Sequence, residues 1–586
     1  MKNKIFKKSL QYFLVIGMVA GLTLGLTGCD WWGEEEESEV FVQVERFLPN
    51  NAAVVVEINT LNDDQRDNLD ELKELFPKNE TEEEELDQVI QDLDQRLIKY
   101  GINFKDNIEP IIGDQYRLLI AAMPMVGTNV DIYTSLTVRD QEKYDELMAE
   151  LSEHKDFIIE KYKDAKIIVN DIEPIYITEI ENVAITGNSR EALKKVIDIA
   201  QAGGSALIDN ERYKMVMDKL PLDRFGMLYF DAAGLVQSLV GEDDQVGFKA
   251  INSLLGGSAM YEALEGEAFA LTIEDEGVQI RGYAYGNELA LKEAGVDFRD
   301  IAREKAYLLE DVPENDMVFF VEGYDFKNTV ELNIANTMTA EGDTNVYEDF
   351  KENLLTQASI DFEKDILTWM DKGYALAVQN SGSVVPGITL IFDASSNVDG
   401  AKKVATSLDL FLTQTIENMK TQAGPYANVL TKDRIELAGS EVNRVTLDLS
   451  KVPQEVLQSL QVPAEAMQDR IEIYYGVTGD DRFVISTYRG FDKSYGEGFD
   501  GSSDYKSVKK YVTDFDRGLM FANPNALVKY IDKFVELAEN IRPLSVDEQE
   551  NYDMFKQYLV PFKGAVLSAN ATATEVNMGG FIRVEK

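Results

Sequence analysis

Cysteine and histidine are almost missing from this 586-residue chain: each occurs once, as Cys29 and His154. A single cysteine excludes any disulfide within the chain. Zinc sites draw on histidine and thiolate ligands, so none is expected, and a metal would have to be held by oxygen alone. Nucleophilic catalysis of the Ser-His-Asp kind has only His154 to use as a base. Its neighbours in Ser152-Glu153-His154-Lys155 are polar, which marks an exposed helix-end residue rather than a catalytic one. No Gly-x-x-x-x-Gly-Lys-Ser/Thr spacing occurs, and Gly256-Gly257-Ser258 has no basic residue close behind it, so a phosphate loop is excluded. Asp500-Gly501-Ser502-Ser503-Asp504 and Gly479-Asp480-Asp481 come nearest to a calcium loop, do not fit the EF-hand spacing and read as turns. No cofactor and no metal are expected.

Positive charge is also scarce. There are 57 Lys and Arg against 105 Asp and Glu, a net charge of −48. Such a balance repels nucleic acid and anionic lipid. It either draws cations and basic partners or keeps the chain soluble, and charge this diffuse names no partner.

What is present begins at the N-terminus. Lys2, Lys4, Lys7 and Lys8 precede an apolar run from Tyr12 to Leu26, the layout of a signal peptide. The run ends Leu26-Thr27-Gly28-Cys29, which resembles the lipobox of bacterial lipoproteins. That resemblance implies a lipid on the Cys29 sulfur and cleavage between Gly28 and Cys29. The alternative is an uncleaved anchor helix, but the apolar run is short for a bilayer span of about 20 residues. Loss of the four lysines leaves 53 basic against 105 acidic residues, or −52, on the mature chain. Trp31 and Trp32 suit the headgroup level of a membrane, and Glu34 to Glu37 read as a solvated spacer.

Past residue 44 the same order of elements is read twice. Leu48-Pro49-Asn50-Asn51 before Val54 matches Val312-Pro313-Glu314-Asn315 before Val318; Tyr116 matches Tyr374, Tyr213 matches Tyr505, and Asp223-Arg224 matches Asp516-Arg517. Each copy closes on two alternating strands, 268–273 with 278–283 and 565–571 with 575–582. The expected organisation is a signal peptide over 1–28, a lipidated acidic tether over 29–43, a first unit over 44–290, a charged linker over 291–304 and a second unit over 305–586. Strands joined by short turns predict antiparallel pairing, so the expected fold class is α+β, each unit an antiparallel sheet with helices packed on one face. Ser189 is placed to cap a helix over 190–202 that Gly203-Gly204 ends. Helices are expected over 63–76 and 82–100 in the first unit and 346–367 in the second, with the glutamates after Thr81 serving the helix dipole rather than a metal.

Leu48-Pro49-Asn50-Asn51, Gly113 before Tyr116, Gly187-Asn188-Ser189 through Ala192 to Ala206-Leu207, and Tyr213 to Leu220 together resemble a bacterial family of exported proteins, a domain of unknown function numbered 3352. The resemblance covers most of 45–290 and, more faintly, the second unit, where Thr487-Tyr488-Arg489 replaces the Gly-Asn-Ser cap. It carries no activity with it.

With no catalytic constellation in view, the expected function is non-enzymatic binding or scaffolding at the cell envelope. The partners are the membrane, through Cys29, and an envelope protein or ligand. One alternative is carriage of a lipid or other apolar ligand, for which Met123, Met125, Met215, Met217 and Met227 are groove candidates as well as core filler. The other is a hydrolase built on a carboxylate pair, which 105 acids permit without singling out two.

Overall fold

The computed structural model describes residues 43–77, 98–124 (except 114), 130–231 (except 171, 173 and 174), 263–300 (except 294–296), 306–330 (except 315 and 329), 345–381, 385–422, 428–452 (except 438), 470–491 (except 480) and 498–585 (except 542). The expected signal peptide with Gly28, the expected lipid site Cys29, the expected acidic tether and most of the helix expected over 82–100 lie outside the described residues. The chain divides into two compact units, Met1–Val296 with Thr574–Asn577, and Asp297–Ala573 with Met578–Lys586.

The first unit carries strands β1 (Val54–Asn59), β2 (Arg117–Pro124), β3 (Val130–Thr137), β4 (Ile158–Tyr162), β5 (Ala165–Asn170), β6 (Ile175–Ile180), β7 (Val183–Gly187), β8 (Gly226–Phe230), β9 (Leu264–Glu274) and β10 (Gly277–Gly286). They pair in the order 4-5-6-7-3-2-1-8-9-10, every pair antiparallel. One row across the centre reads Tyr133, Ala121, Val55, Tyr229, Ala268, Tyr283. Three tyrosines stand among smaller side chains along it, and all are buried.

Helices α1 (Asp63–Lys73), α2 (Glu109–Ile112), α3 (Gln141–Glu153), α4 (Arg190–Ala202), α5 (Glu211–Met217) and α6 (Glu288–Glu293) connect these strands. As expected, Ser189 caps α4: its Oγ accepts from the Ala192 amide at 3.0 Å, and Gly203 closes the helix at φ 70°, where a Cβ would be strained. Leu193, Val196 and Ile197 of α4 and Tyr213 and Val216 of α5 pack on the face carrying Val55 and Leu119.

The expectation of helices on one face is corrected here. Ile58, Leu118 and Ile120 point to the opposite face, because side chains alternate along a strand, and they pack with Ile112 of α2 and Tyr116. Leu151 of α3 joins Tyr100, Phe157 and Ile168 there. Both faces of the central strands are apolar, so both are covered.

The second unit carries β11 (Met317–Tyr324), β12 (Gly373–Gln379), β13 (Gly387–Asp393), β14 (Leu430–Leu437), β15 (Ser440–Asp448), β16 (Arg470–Thr478), β17 (Arg482–Ser486), β18 (Arg517–Ala522), β19 (Phe562–Ala571) and β20 (Glu575–Val584). Their order is 14-15-16-17-13-12-11-18-19-20, that of the first unit with ten added throughout. Its helices are α7 (Asn345–Ala358), α8 (Val398–Gln422), α9 (Ser503–Lys509), α10 (Pro524–Ile541) and α11 (Val546–Leu559). Tyr505 and Val508 of α9 cover Phe320 and Phe521 on one face. Trp369 and Ala401 and Val404 of α8 cover Phe392 and Phe483 on the other. The stretch expected as a charged linker is partly core: α6 runs into it, and Leu291 and Phe298 are each 1% exposed.

Candidate functional site

Charge inside an apolar strand is the first place to look for chemistry, because a buried ion is costly unless something compensates it. β1 reads Val-Val-Val-Glu-Ile-Asn, and its Glu57 is 2% exposed, on the same face as Val55. Arg117, at the start of β2, donates from Nε to Glu57 Oε1 at 2.5 Å. Arg224, two residues before β8, donates from Nε and Nη2 to Oε2 at 3.0 and 2.7 Å. Arg117 reaches on to Glu45 in the 3-10 turn Val44–Arg46, with Nη1 at 3.1 Å and a second contact from Nη2. All four side chains are buried, two cations against two anions.

Burial pushes the Glu57 carboxyl upward, but the guanidinium groups of Arg117 and Arg224 outweigh that and hold it below the ordinary carboxylate range. Burial works against the Arg117 charge too, and Glu57 and Glu45 overcome it, so the guanidinium holds its proton more tightly than usual. Tyr213 of α5 lies beside the cluster; burial, then the charges of Glu45 and Glu57, raise its hydroxyl well above 10.

This arrangement is a closed ionic cluster. Glu45 and Glu57 are a carboxylate pair sharing Arg117, but a glycosidase-type pair needs one member kept protonated and reachable by substrate. Here Glu57 is held ionised and both are buried. What the cluster does is fasten the turn through which the chain enters the unit onto the central strand, and fix that strand between β2 and β8.

At the matching place of the second unit, Glu322 of β11 is 4% exposed and is held differently. Glu57 lies opposite Leu119 and Met227, and Glu322 opposite Ala375 and Leu519. By this register Gly373 stands where Arg117 does, and a Cβ on Gly373 would come within 2.6 Å of the Tyr307 hydroxyl. Counted back from the strand starts, Phe515 stands two residues before β18 as Arg224 does before β8, so the Arg517 that residue type matches to Arg224 lies two places further on, beside the bulge between Arg517 and Leu519. Both arginines are thus replaced. The Glu322 carboxylate instead accepts three backbone N–H bonds from Tyr307, Leu308 and Leu309 at 2.7, 3.0 and 3.2 Å, at the start of the 3-10 turn Leu308–Asp311.

The residues singled out from sequence are not brought together. His154 caps the C-terminus of α3, half-buried rather than exposed, its ring edge-on to Tyr100 at 5.1 Å. Gly479 and Asp481 lie in the β16–β17 turn, and Asp481 pairs with Arg482. Ser502 caps α9, and Asp504 accepts from Asn523. Met123 and Met227 are core residues, Met215 is exposed on α5, and Met125 and Gly256 to Ser258 lie outside the described residues. Among the described residues no group of three or more His, Cys, Asp or Glu is placed to hold a metal ion, and no helix is long and apolar enough to cross a membrane. Sequence reasoning missed Glu45, Glu57, Arg117, Arg224 and Glu322. The signal available was a charged residue within runs such as Val54 to Ile58 and Arg117 to Ile120.

No curated protein matches the chain. Crystal forms IV and I of TP0453 are similar at 9% identity with TM-scores of 0.23 and 0.24, covering 42% and 44% of this chain and 81% and 86% of those. The family described as protein of unknown function (DUF3352) matches residues 14–424, and the chain belongs to that family.

Proposed function

We propose that the chain is an exported lipoprotein, held at the outer face of the cytoplasmic membrane or in the envelope by a lipid on Cys29, and that its two units are copies of one fold that act by binding rather than catalysis. The observation that carries the binding reading is the closure of the ionic cluster: Glu45, Glu57, Arg117 and Arg224, all buried in the first unit, are engaged with each other. What each unit offers outward is surface, acidic overall and with apolar side chains such as Leu527, Phe534 and Phe555 of the second unit part-exposed.

Support for copying comes from the identical strand order and from Glu57 and Glu322 at equivalent buried positions. Support for export comes from the four lysines, the apolar run Tyr12 to Leu26 and Leu26-Thr27-Gly28-Cys29, read as a signal peptide ending in a lipobox.

The test is photo-crosslinking in the intact source cell from positions 527, 534 and 555, with lipid analysis of the purified chain alongside. Discrete protein adducts without stoichiometric lipid fit binding. One tightly held lipid per chain, extracted with the protein and not bonded to Cys29, would replace it with carriage.

A further inference from the structure

We propose that Glu322 is a proton-operated clasp on the turn Leu308–Asp311, the entry turn to β11 of the second unit. The turn Leu308–Asp311 is held down by its own apolar residues, Leu308 at 0% and Leu309 at 3% exposure, and by the three amide bonds to Glu322. Oε1 accepts two of them, from Tyr307 and Leu308; Oε2 accepts the third and longest, from Leu309.

The groups facing the carboxyl are few. From the entry turn comes Asp311, itself bonded to Arg482 at 2.8 Å. Tyr307 of the same stretch turns its hydroxyl to Asp393 at 2.5 Å. From α9 comes Tyr505, near Asp500. The cross-strand neighbours Ala375 and Leu519 are apolar. Among the described residues no Lys or Arg forms an ion pair with Glu322, whereas Glu57 has two.

A buried carboxylate neutralised only by amide dipoles can discharge by taking a proton from water, an option closed to Glu57 by Arg117 and Arg224. Oε2, with a single long bond, is the oxygen that takes it. Its O–H then faces the Leu309 N–H, donor against donor, and that bond is lost while the two at Oε1 remain. Burial, only partly offset by the amide bonds, raises this carboxyl to about 7, so the exchange falls in the neutral range. Lifting of Leu309 alone leaves the Glu322 carboxyl buried, so this bond is firmer on the alkaline side even though burial of the charge makes the unit as a whole less stable there; the Val44–Arg46 turn is held alike throughout.

Amide hydrogen exchange on the full chain between pH 5.5 and 8.5, corrected for intrinsic rates, tests this. Protection of Leu309 is expected to rise roughly five- to tenfold through the neutral range, the worth of one hydrogen bond, with Glu45 and Arg46 flat. Glu322→Gln, which cannot ionise, should remove the step. Should that variant fail to fold, carbon-13 titration of the Glu322 carboxyl in the unaltered chain decides. A midpoint between 6 and 8 supports the clasp. A flat Leu309 profile, a step that survives in Glu322→Gln, or a midpoint below 5.5 overturns it.

Discussion

Glu57 and Arg224 are 167 positions apart in sequence and 2.7 Å apart in the folded unit, where Arg224 Nη2 donates to Glu57 Oε2. Removing one partner of a buried pair strands the other charge and costs about 3–5 kcal/mol, whereas replacing the whole set with apolar groups of similar volume is often neutral. Arg224→Met is therefore expected to destabilise the first unit by about that amount in urea unfolding. A fourfold variant with apolar residues at 45, 57, 117 and 224 should lose less than the single one.

In the second unit, Gly373 and Tyr307 share one space. Gly373→Ala places a methyl 2.6 Å from the Tyr307 hydroxyl and 3.0 Å from its Cζ, and overpacking of this kind costs about 1–3 kcal/mol. Tyr307→Phe removes the crowding oxygen together with the bond it donates to Asp393 and the one it accepts from the Gly373 N–H. A double-mutant cycle should show the two costs to be clearly less than additive, and simple additivity would place the clash elsewhere.

The two central glutamates should respond to pH with opposite sign. The Glu322 carboxyl is raised from 4.5 to about 7, mainly by burial, so its contribution to stability is full below pH 4.5 and is lost as pH rises through about 7, a span of about 3 kcal/mol at most. The Glu57 carboxyl is lowered, so its contribution is present above pH 4.5 and is lost only as pH falls. Trp369 is the one tryptophan past residue 32 and lies in the second unit, 0% exposed. With Trp31 and Trp32 replaced by Phe, its fluorescence isolates that unit. Its unfolding midpoint in urea should fall between pH 5 and 8, and Glu322→Gln should flatten the change.

Features set by neighbours in sequence were legible before the structure. Ser189 and Gly203 bracket α4 because a cap needs only a hydroxyl and a left-handed residue at the right spacing. The hairpins β9–β10 and β19–β20 were legible from alternation. β4 was not, since Ile158-Ile159-Glu160-Lys161-Tyr162 does not alternate, and neither was β14, with Lys432-Asp433-Arg434 at its centre. Register was out of reach for a different reason. Matching by residue type sets Val54 against Val318 and Tyr116 against Tyr374, but the register through Glu57 and Glu322 sets Val54 against Phe319 and Leu118 against Tyr374. A bulge between Met317 and Phe319 accounts for the first shift. The ionic cluster was invisible because its members are separated by 60, 72 and 167 positions, and only folding brings them together.

The central claim, a lipid tether on Cys29, is tested by growing the source organism with a radiolabelled fatty acid and recovering the wild-type chain and Cys29→Ser. The expected result is label on a shortened wild-type chain and none on the variant, which keeps its signal peptide or leaves the membrane fraction. Label retained in Cys29→Ser, or a wild-type chain that is unlabelled and uncut, would contradict the account.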